Sequence, residues 1–220
     1  MSPGGSPLCE SGSAGFVLAG GQSSRMGTDK ALVQLDGEPL IVRTLAILGD
    51  AGLELAIAGA RSDLSTYGQV VEDAGRGPLG GICAGLESTP AEYAVFVSID
   101  TPLLPSSLVS FLLQYAQMAQ AGITLVSVTG FTQTFPVVIH RSMLSSLQSE
   151  LNSGNTGCYA AFRVAADPLQ RPLRVLAVED LVQAGQVEHT YGLPASHWFL
   201  NVNTPADLAR AETLLPSSIA

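Results

Sequence analysis

Phe16-Val17-Leu18-Ala19-Gly20-Gly21-Gln22-Ser23-Ser24-Arg25-Met26-Gly27-Thr28-Asp29-Lys30 says more about this chain than any other stretch. Its first four residues are a short apolar run, which predicts a strand buried on both faces. The rest places Gly20, Gly21 and Gly27 with the cations Arg25 and Lys30 in the loop that leaves that strand. Glycines let backbone N–H groups approach an anion closely. The two cations add positive charge where a polyphosphate would lie. No Gly-Lys-Ser/Thr triplet follows, so this is not a Walker A loop.

Working outward, β-rich apolar runs alternate with helical patterns. Strands are predicted at 15–19, 53–58, 69–72, 93–98, 123–128, 135–140, 173–178 and 199–202. Helices are predicted at 40–51, 79–88, 106–121, 141–151 and 205–215, the last with Thr204 as N-cap and Pro205 at its first position. The early strands read as continuous apolar runs rather than alternating ones, which suits a parallel sheet covered on both faces. The rhythm implies a three-layer α/β fold with ligands beyond the carboxyl ends of the strands. Residues 130–140 carry turn chemistry between two β-rich runs and predict a hairpin shaping a second substrate site; 152–157 is a loop.

Composition narrows the class. The 220 residues are 46% hydrophobic and 13% charged, which excludes a largely disordered chain. A net charge of −9 argues against nucleic acid as the main partner. Cys9, Cys83 and Cys158 are far apart and form no Cys-x-x-Cys pair, so neither a disulfide framework nor a zinc site is expected, and the thiols suit the cytoplasm. No apolar run reaches the roughly 18 residues of a membrane span. Residues 1–13 read as a disordered tail and 14–215 as one domain.

Two carboxylates stand out. Asp100 ends an apolar run and is followed by Thr101-Pro102, which stops the strand. A single acid there can hold a magnesium ion bridging phosphates, or it can merely start a turn or cap the helix after Pro105. Asp73 ends Val70-Val71-Glu72-Asp73 ahead of Gly75-Arg76-Gly77-Pro78-Leu79-Gly80-Gly81. Within that stretch Gly75-x-Gly77-x-x-Gly80 also matches a dinucleotide-binding fingerprint, with Asp100 near the required offset. That rival is weakly specific among 23 glycines and leaves the 18–30 segment unexplained. Near the C-terminus, Asn201 and Asn203 alternate in Asn201-Val202-Asn203-Thr204-Pro205 and would share one face of a strand. His140, His189 and His197 are scattered and suggest no ligand set.

The 18–30 segment resembles the signature of the molybdenum cofactor guanylyltransferases, LAGG-x-S-x-RMG-x-DK, at every fixed position. The resemblance extends through Asp73 with the following Gly-Pro-Leu-x-Gly, Asp100 in Asp-x-Pro, and Asn-x-Asn-Thr-Pro-x-Asp-Leu at 201–208, in the family's order. Pro136, Val137 and Val138 match its pterin-side segment loosely. The family commonly has an asparagine after its second strand, where this chain has Ala58 and Gly59.

The resemblance implies a three-layer Rossmann-like nucleotidyltransferase fold with a mostly parallel central sheet. It implies transfer of GMP from GTP to molybdopterin, or molybdenum-loaded molybdopterin, giving the guanine dinucleotide cofactor and pyrophosphate. Leu18, Ala19, Gly20, Gly21, Lys30, Asp73 and Asp100 would bind the nucleotide, and Arg25, Lys30 and Asp100 would act in catalysis. Asp100 would hold Mg2+, with Asn201 and Asn203 on the pterin and phosphate side. Molybdenum-insertion and molybdoenzyme-maturation proteins are the implied protein partners. Gly20, where cytidylyl-transferring relatives have alanine, leaves room for a purine. The alternatives are a cytidylyltransferase for the same pterin, a sugar-1-phosphate nucleotidyltransferase, and a non-catalytic nucleotide-binding accessory protein.

Overall fold

The computed structural model describes residues 12–20, 29–166 and 170–216. In chain order these contain β1 (Ala14–Leu18), β2 (Gln34–Leu35), β3 (Glu38–Pro39), α1 (Leu40–Asp50), β4 (Glu54–Ala58), β5 (Val70–Val71), α2 (Gly77–Ser88) and β6 (Tyr93–Ser98). There follow α3 (Ser106–Met118), β7 (Ile123–Val128), β8 (Phe131–His140), α4 (Leu144–Asn152), α5 (Cys158–Ala165), β9 (Leu173–Ala177), α6 (Val178–Gln183), α7 (Ala195–Trp198) and α8 (Pro205–Leu214).

Seven strands form one sheet in the order β5-β4-β1-β6-β8-β7-β9, and β2 pairs with β3 in a small separate hairpin. Within the large sheet β8 runs antiparallel to β6 and β7, and the other pairings are parallel. The α/β class and the mostly parallel sheet are therefore as expected. Continuous apolar strands follow from burial on both faces. In β1, Phe16 packs with Leu18 and α2 on one side, while Val17 packs with α1 and α3 on the other. Phe16 and Phe96 stack with ring centroids 5.1 Å apart, and α2 lies so close that a Cβ on Gly85 would come within 2.7 Å of Phe96 Cε1.

Register sets the functional edge. Leu18 pairs with Ala58 on one side and Ser98 on the other, and Ala58 pairs with Val71. Val71, Ala58, Leu18 and Ser98 thus lie in one row at the carboxyl end of the sheet. The chain reverses its direction of strand addition between β1 and β6, the crevice where such sheets bind ligands.

Some expectations change. A hairpin does form around 130–140, but it turns at Thr129-Gly130 between β7 and β8, and 131–134, expected as a turn, is the first part of strand β8. Its pairing with β7 shifts between Thr124 and Val126. The shift falls opposite Pro136, which has no N–H for a ladder bond. Residues 199–202 do not pair into a sheet; Val202 N–H donates instead to the Asp100 carbonyl at 2.8 Å. The alternate-face argument for Asn201 and Asn203 therefore lapses. Helix α5 was not anticipated, although Cys158, Ala161, Phe162 and Ala165 bury one face at helical spacing. Its eight residues are short for a periodic signal beside a glycine-rich loop. Cys83 and Cys158 are buried free thiols, pushed up to about 11 by desolvation.

At the opposite end of the sheet, His140 is buried against Tyr93. Its Nδ1 accepts from Ser142 N–H at 3.1 Å, which leaves Nε2–H to donate to Glu92 at 2.9 Å. Burial lowers its pKa from the usual 6.5, against the opposing pull of the Glu92 hydrogen bond. His189, also lowered chiefly by burial, has the same arrangement between Tyr191 N–H and the Leu103 carbonyl. With the folded pKa below the unfolded one, the unfolded chain takes up the proton first as pH falls. The stability these neutral imidazoles contribute is complete above about pH 6.5 and is lost as pH falls through the folded pKa. The urea midpoint should drop between pH 7.5 and pH 5, and His140→Gln should shrink that drop; an equal drop in the variant would show that His140 has no part in it.

Candidate active site

Three of the expected site residues follow strands that end in the same row of the sheet. Gly20, Asp73 and Asp100 lie two residues beyond Leu18, Val71 and Ser98, so the register that pairs the strands brings these positions to one edge. The cleft between them is lined by Leu18, Gly20, Ala58, Asp73, Gly77, Pro78, Gly81, Ser98, Asp100 and Phe135.

Lys30 reaches this edge from the far end of the signature segment. Asp29 caps a 3-10 turn over Lys30–Leu32, its side chain accepting from Ala31 N–H at 3.0 Å. The Lys30 side chain is 10% exposed, and its Nζ lies 2.6 Å from Asp100 Oδ1 and 2.6 Å from Asn203 Oδ1. An ammonium so withdrawn from water needs acceptors. One comes from the end of β6 and the other from 173 residues further along the chain.

Asn203 is held in turn by the start of α8. The Thr204 hydroxyl and the Asp207 carboxylate form a capping box, and the Asn203 N–H donates to Asp207 Oδ2 at 3.1 Å. The Thr204 hydroxyl, these backbone N–H groups and the Lys30 charge hold the Asp207 carboxyl below its usual pKa, against a smaller opposing effect of burial. Asn201 stands apart from this cluster, exposed, with its amide donating weakly to the Phe199 carbonyl at 3.4 Å.

Asp100 does not cap the following helix: α3 has Pro105 at its N-cap and no side-chain cap bond. Asp73 is buried and does two things. Its Oδ1 accepts from Gly75 N–H at 2.9 Å, a turn contact, while Oδ2 lies 3.6 Å from where Cβ atoms on Gly80 and Gly81 would project. The absence of side chains there keeps the cleft open beside the carboxylate. The Gly75-x-Gly77-x-x-Gly80 pattern follows β5, a two-residue strand at the sheet's edge. A dinucleotide fingerprint follows the strand at the switch point, so that reading fails.

Gly21 and Arg25 lie outside the described residues, as does the rest of 21–28. Leu18, Gly20, Asp73 and Asp100 line the cleft, Lys30 and Asn203 join Asp100 there, and Ala19 is fixed by its N–H to the Ala58 carbonyl at 3.1 Å. Val137 and Val138 are core residues and do not face the cleft; Phe135, which the sequence did not single out, does. Only the hairpin expected at 130–140 hinted at it. Among the described residues no three His, Cys, Asp or Glu side chains gather as a metal cluster, and no helix is long and apolar enough to cross a membrane.

Residues 15–169 match the family model described as the MobA-like NTP transferase domain. The chain is 30% identical over 210 residues to a probable molybdenum cofactor guanylyltransferase of Haloferax mediterranei, covering 90% of this chain and 92% of that protein. It is 30% identical over 206 residues to a molybdenum cofactor guanylyltransferase of Vibrio cholerae, covering 91% of each. The crystal structure of molybdopterin-guanine dinucleotide biosynthesis protein A from Archaeoglobus fulgidus shares the fold, with a TM-score of 0.73 at 21% identity over 91% of this chain and 97% of that one.

Thr204→Ala should cost about 1 kcal/mol of unfolding free energy, the ordinary worth of an N-cap. Chemical denaturation measures it; a loss near zero would show that the box does not anchor the Asn203 turn.

Proposed function

The chain belongs to the MobA-like NTP transferase domain family of nucleotidyltransferase enzymes, and from that premise we propose that it transfers GMP from GTP to the terminal phosphate of molybdopterin, most productively with molybdenum already on the pterin. The observation that carries this reading is the meeting of Lys30, Asp100 and Asn203 at one end of the cleft.

The reaction needs no protein nucleophile. An oxygen of the pterin's terminal phosphate attacks the α-phosphorus of GTP, the bond to the bridging oxygen of the β-phosphate breaks, and pyrophosphate leaves with that oxygen. The protein then contributes alignment and charge. Lys30 neutralises the triphosphate, assisted by Arg25. The N–H groups of Gly20 and Gly21 cradle the nucleotide beside Leu18, the Ala19 N–H being taken by the Ala58 carbonyl. Asn203 faces the acceptor phosphate, while Asn201, expected on the same side, stands apart from the cluster.

The donor set fits Mg2+. Asp100 and Asp73 are hard oxygen ligands lining one cleft, and an ion held by one or two carboxylates and by substrate phosphates needs no larger protein cluster. Asp100 is the residue that would hold it, with Asp73 the nearer to the nucleoside. When bound, such an ion screens the α-phosphate and the leaving pyrophosphate.

Base choice rests on Gly20. Among the described residues, a Cβ there would meet nothing nearer than Asp73 Oδ2 at 4.0 Å. The protein's own packing therefore admits alanine, and glycine leaves space for the ligand, which favours a purine. The reading carries with it a cytoplasmic site of action and dealings with molybdenum-insertion and molybdoenzyme-maturation proteins rather than with nucleic acid or membrane.

Pyrophosphate release should be measured with Mg2+, molybdenum-loaded molybdopterin and GTP, CTP, ATP and UTP in turn, and GTP alone is expected to support it. Release with CTP would overturn the base assignment. Silence with all four would shift the function to a sugar phosphate acceptor or to binding alone. Lys30→Ala and Asp100→Ala should each lower turnover about 100- to 1,000-fold, the scale of losing one preorganised charge contact. Normal turnover in either would remove that residue from the mechanism.

A further inference from the structure

We propose that Arg61 is a positioning residue for Lys30, acting through Asp29. The argument begins at Gly59, directly after β4. Gly59 has φ +147°, and a Cβ on it would lie 2.9 Å from the backbone nitrogen of Gly20. The chain after β4 thus presses on the first described end of the signature segment, where only glycine fits. Two residues later it grips the second. The Arg61 guanidinium bonds Asp29 Oδ2 through Nη2 and takes Asp63 with Nε at 2.9 Å and Nη2 at 2.7 Å.

Asp29 has two jobs, one for each oxygen. Oδ1 caps the turn that carries Lys30, and Oδ2 is held by Arg61. The orientation of that turn, and hence of the Lys30 ammonium at Asp100, is thereby referred to β4. Arg61 is itself well anchored. Its N–H donates to the Gly59 carbonyl at 2.8 Å, its carbonyl accepts from Leu64 N–H at 2.9 Å, and Leu64 is fully buried. Asp63 holds the guanidinium from the other side, and the Asp63 and Asp29 carboxylates raise the guanidinium pKa beyond its usual value, outweighing burial.

A planar fork can meet two carboxylates on different elements at once, whereas a lysine ammonium lacks that geometry. The Arg61 guanidinium is taken up by the Asp29 and Asp63 carboxylates, so it acts through Asp29.

The catalytic part of this inference rests on the proposed GMP transfer, so the test reads the brace and the reaction separately. Hydrogen exchange at the Ala31 and Leu32 amides needs no substrate. Arg61→Met should speed it about tenfold while the urea midpoint stays close to wild type, since partly exposed ion pairs add little stability. With GTP and acceptor, Arg61→Met should lower kcat about 10- to 100-fold, the scale of a small misplacement of a catalytic group, with a smaller change in KM. Arg61→Lys should recover part of the loss. Asp29→Asn should resemble Arg61→Met, and the double variant should be no worse than either, because both act along one line of contact. Unchanged exchange in Arg61→Met would overturn the brace, whatever wild type does with GTP. Faster exchange with normal kcat, or additive losses in the double variant, would overturn its catalytic role. Faster exchange in a protein whose wild type ignores GTP would sink the substrate assignment and leave the brace standing.

Discussion

The parallel register of β1 between β4 and β6 is the constraint from which the rest follows. Backbone ladder bonds align Val71, Ala58, Leu18 and Ser98, and burial on both faces prevents the row from slipping. A one-residue slip would exchange Phe16 and Leu18 with Val17 across the two apolar layers, an expensive repacking. Because the row is level, a loop residue two positions past each strand arrives at the same edge. Asp73, Gly20 and Asp100 need no special device to meet; the sheet delivers them.

Charge placement completes the edge. A protein with net charge −9 gathers Asp73 and Asp100 where a polyanion would bind, which is unfavourable without a local cation. Lys30 supplies that cation. An ammonium has three protons to donate, and Asp100 and Asn203 accept two of them. It is pre-oriented by Asp100, which lines the cleft, and by Asn203, so little reorganisation would be needed were negative charge to develop nearby. The C-terminal segment matters for the same reason. Val202 N–H bonded to the Asp100 carbonyl and the capping box at Thr204 together bring Asn203 to Lys30.

Much of this was legible in the residues. The apolar runs at 15–19, 53–58 and 93–98 announced buried parallel strands, and Thr204-Pro205 announced α8, because those signals are local. Lys30, one of the two cations read from the signature segment, does reach Asp100 at the sheet's edge. Less was legible where an element depends on what it packs against. Residues 199–202 look like a strand by composition but cross the end of β6 with one backbone bond. Helix α5 exists because Phe162 and its neighbours cover the core beside α4. Phe135 enters the cleft because β8 runs back beside β6.

The sequence by itself determined the class of fold and the side-chain chemistry carried to the carboxyl edge of the sheet, since strand burial, loop glycines and the sign of each side chain are properties of short segments. Only the tertiary structure decided which acceptors Lys30 would find, which carboxylate would serve a turn as well as the cleft, and that Arg61 would hold Asp29. Those outcomes depend on distances between residues far apart along the chain, and such distances are fixed by sheet register and packing rather than by local pattern.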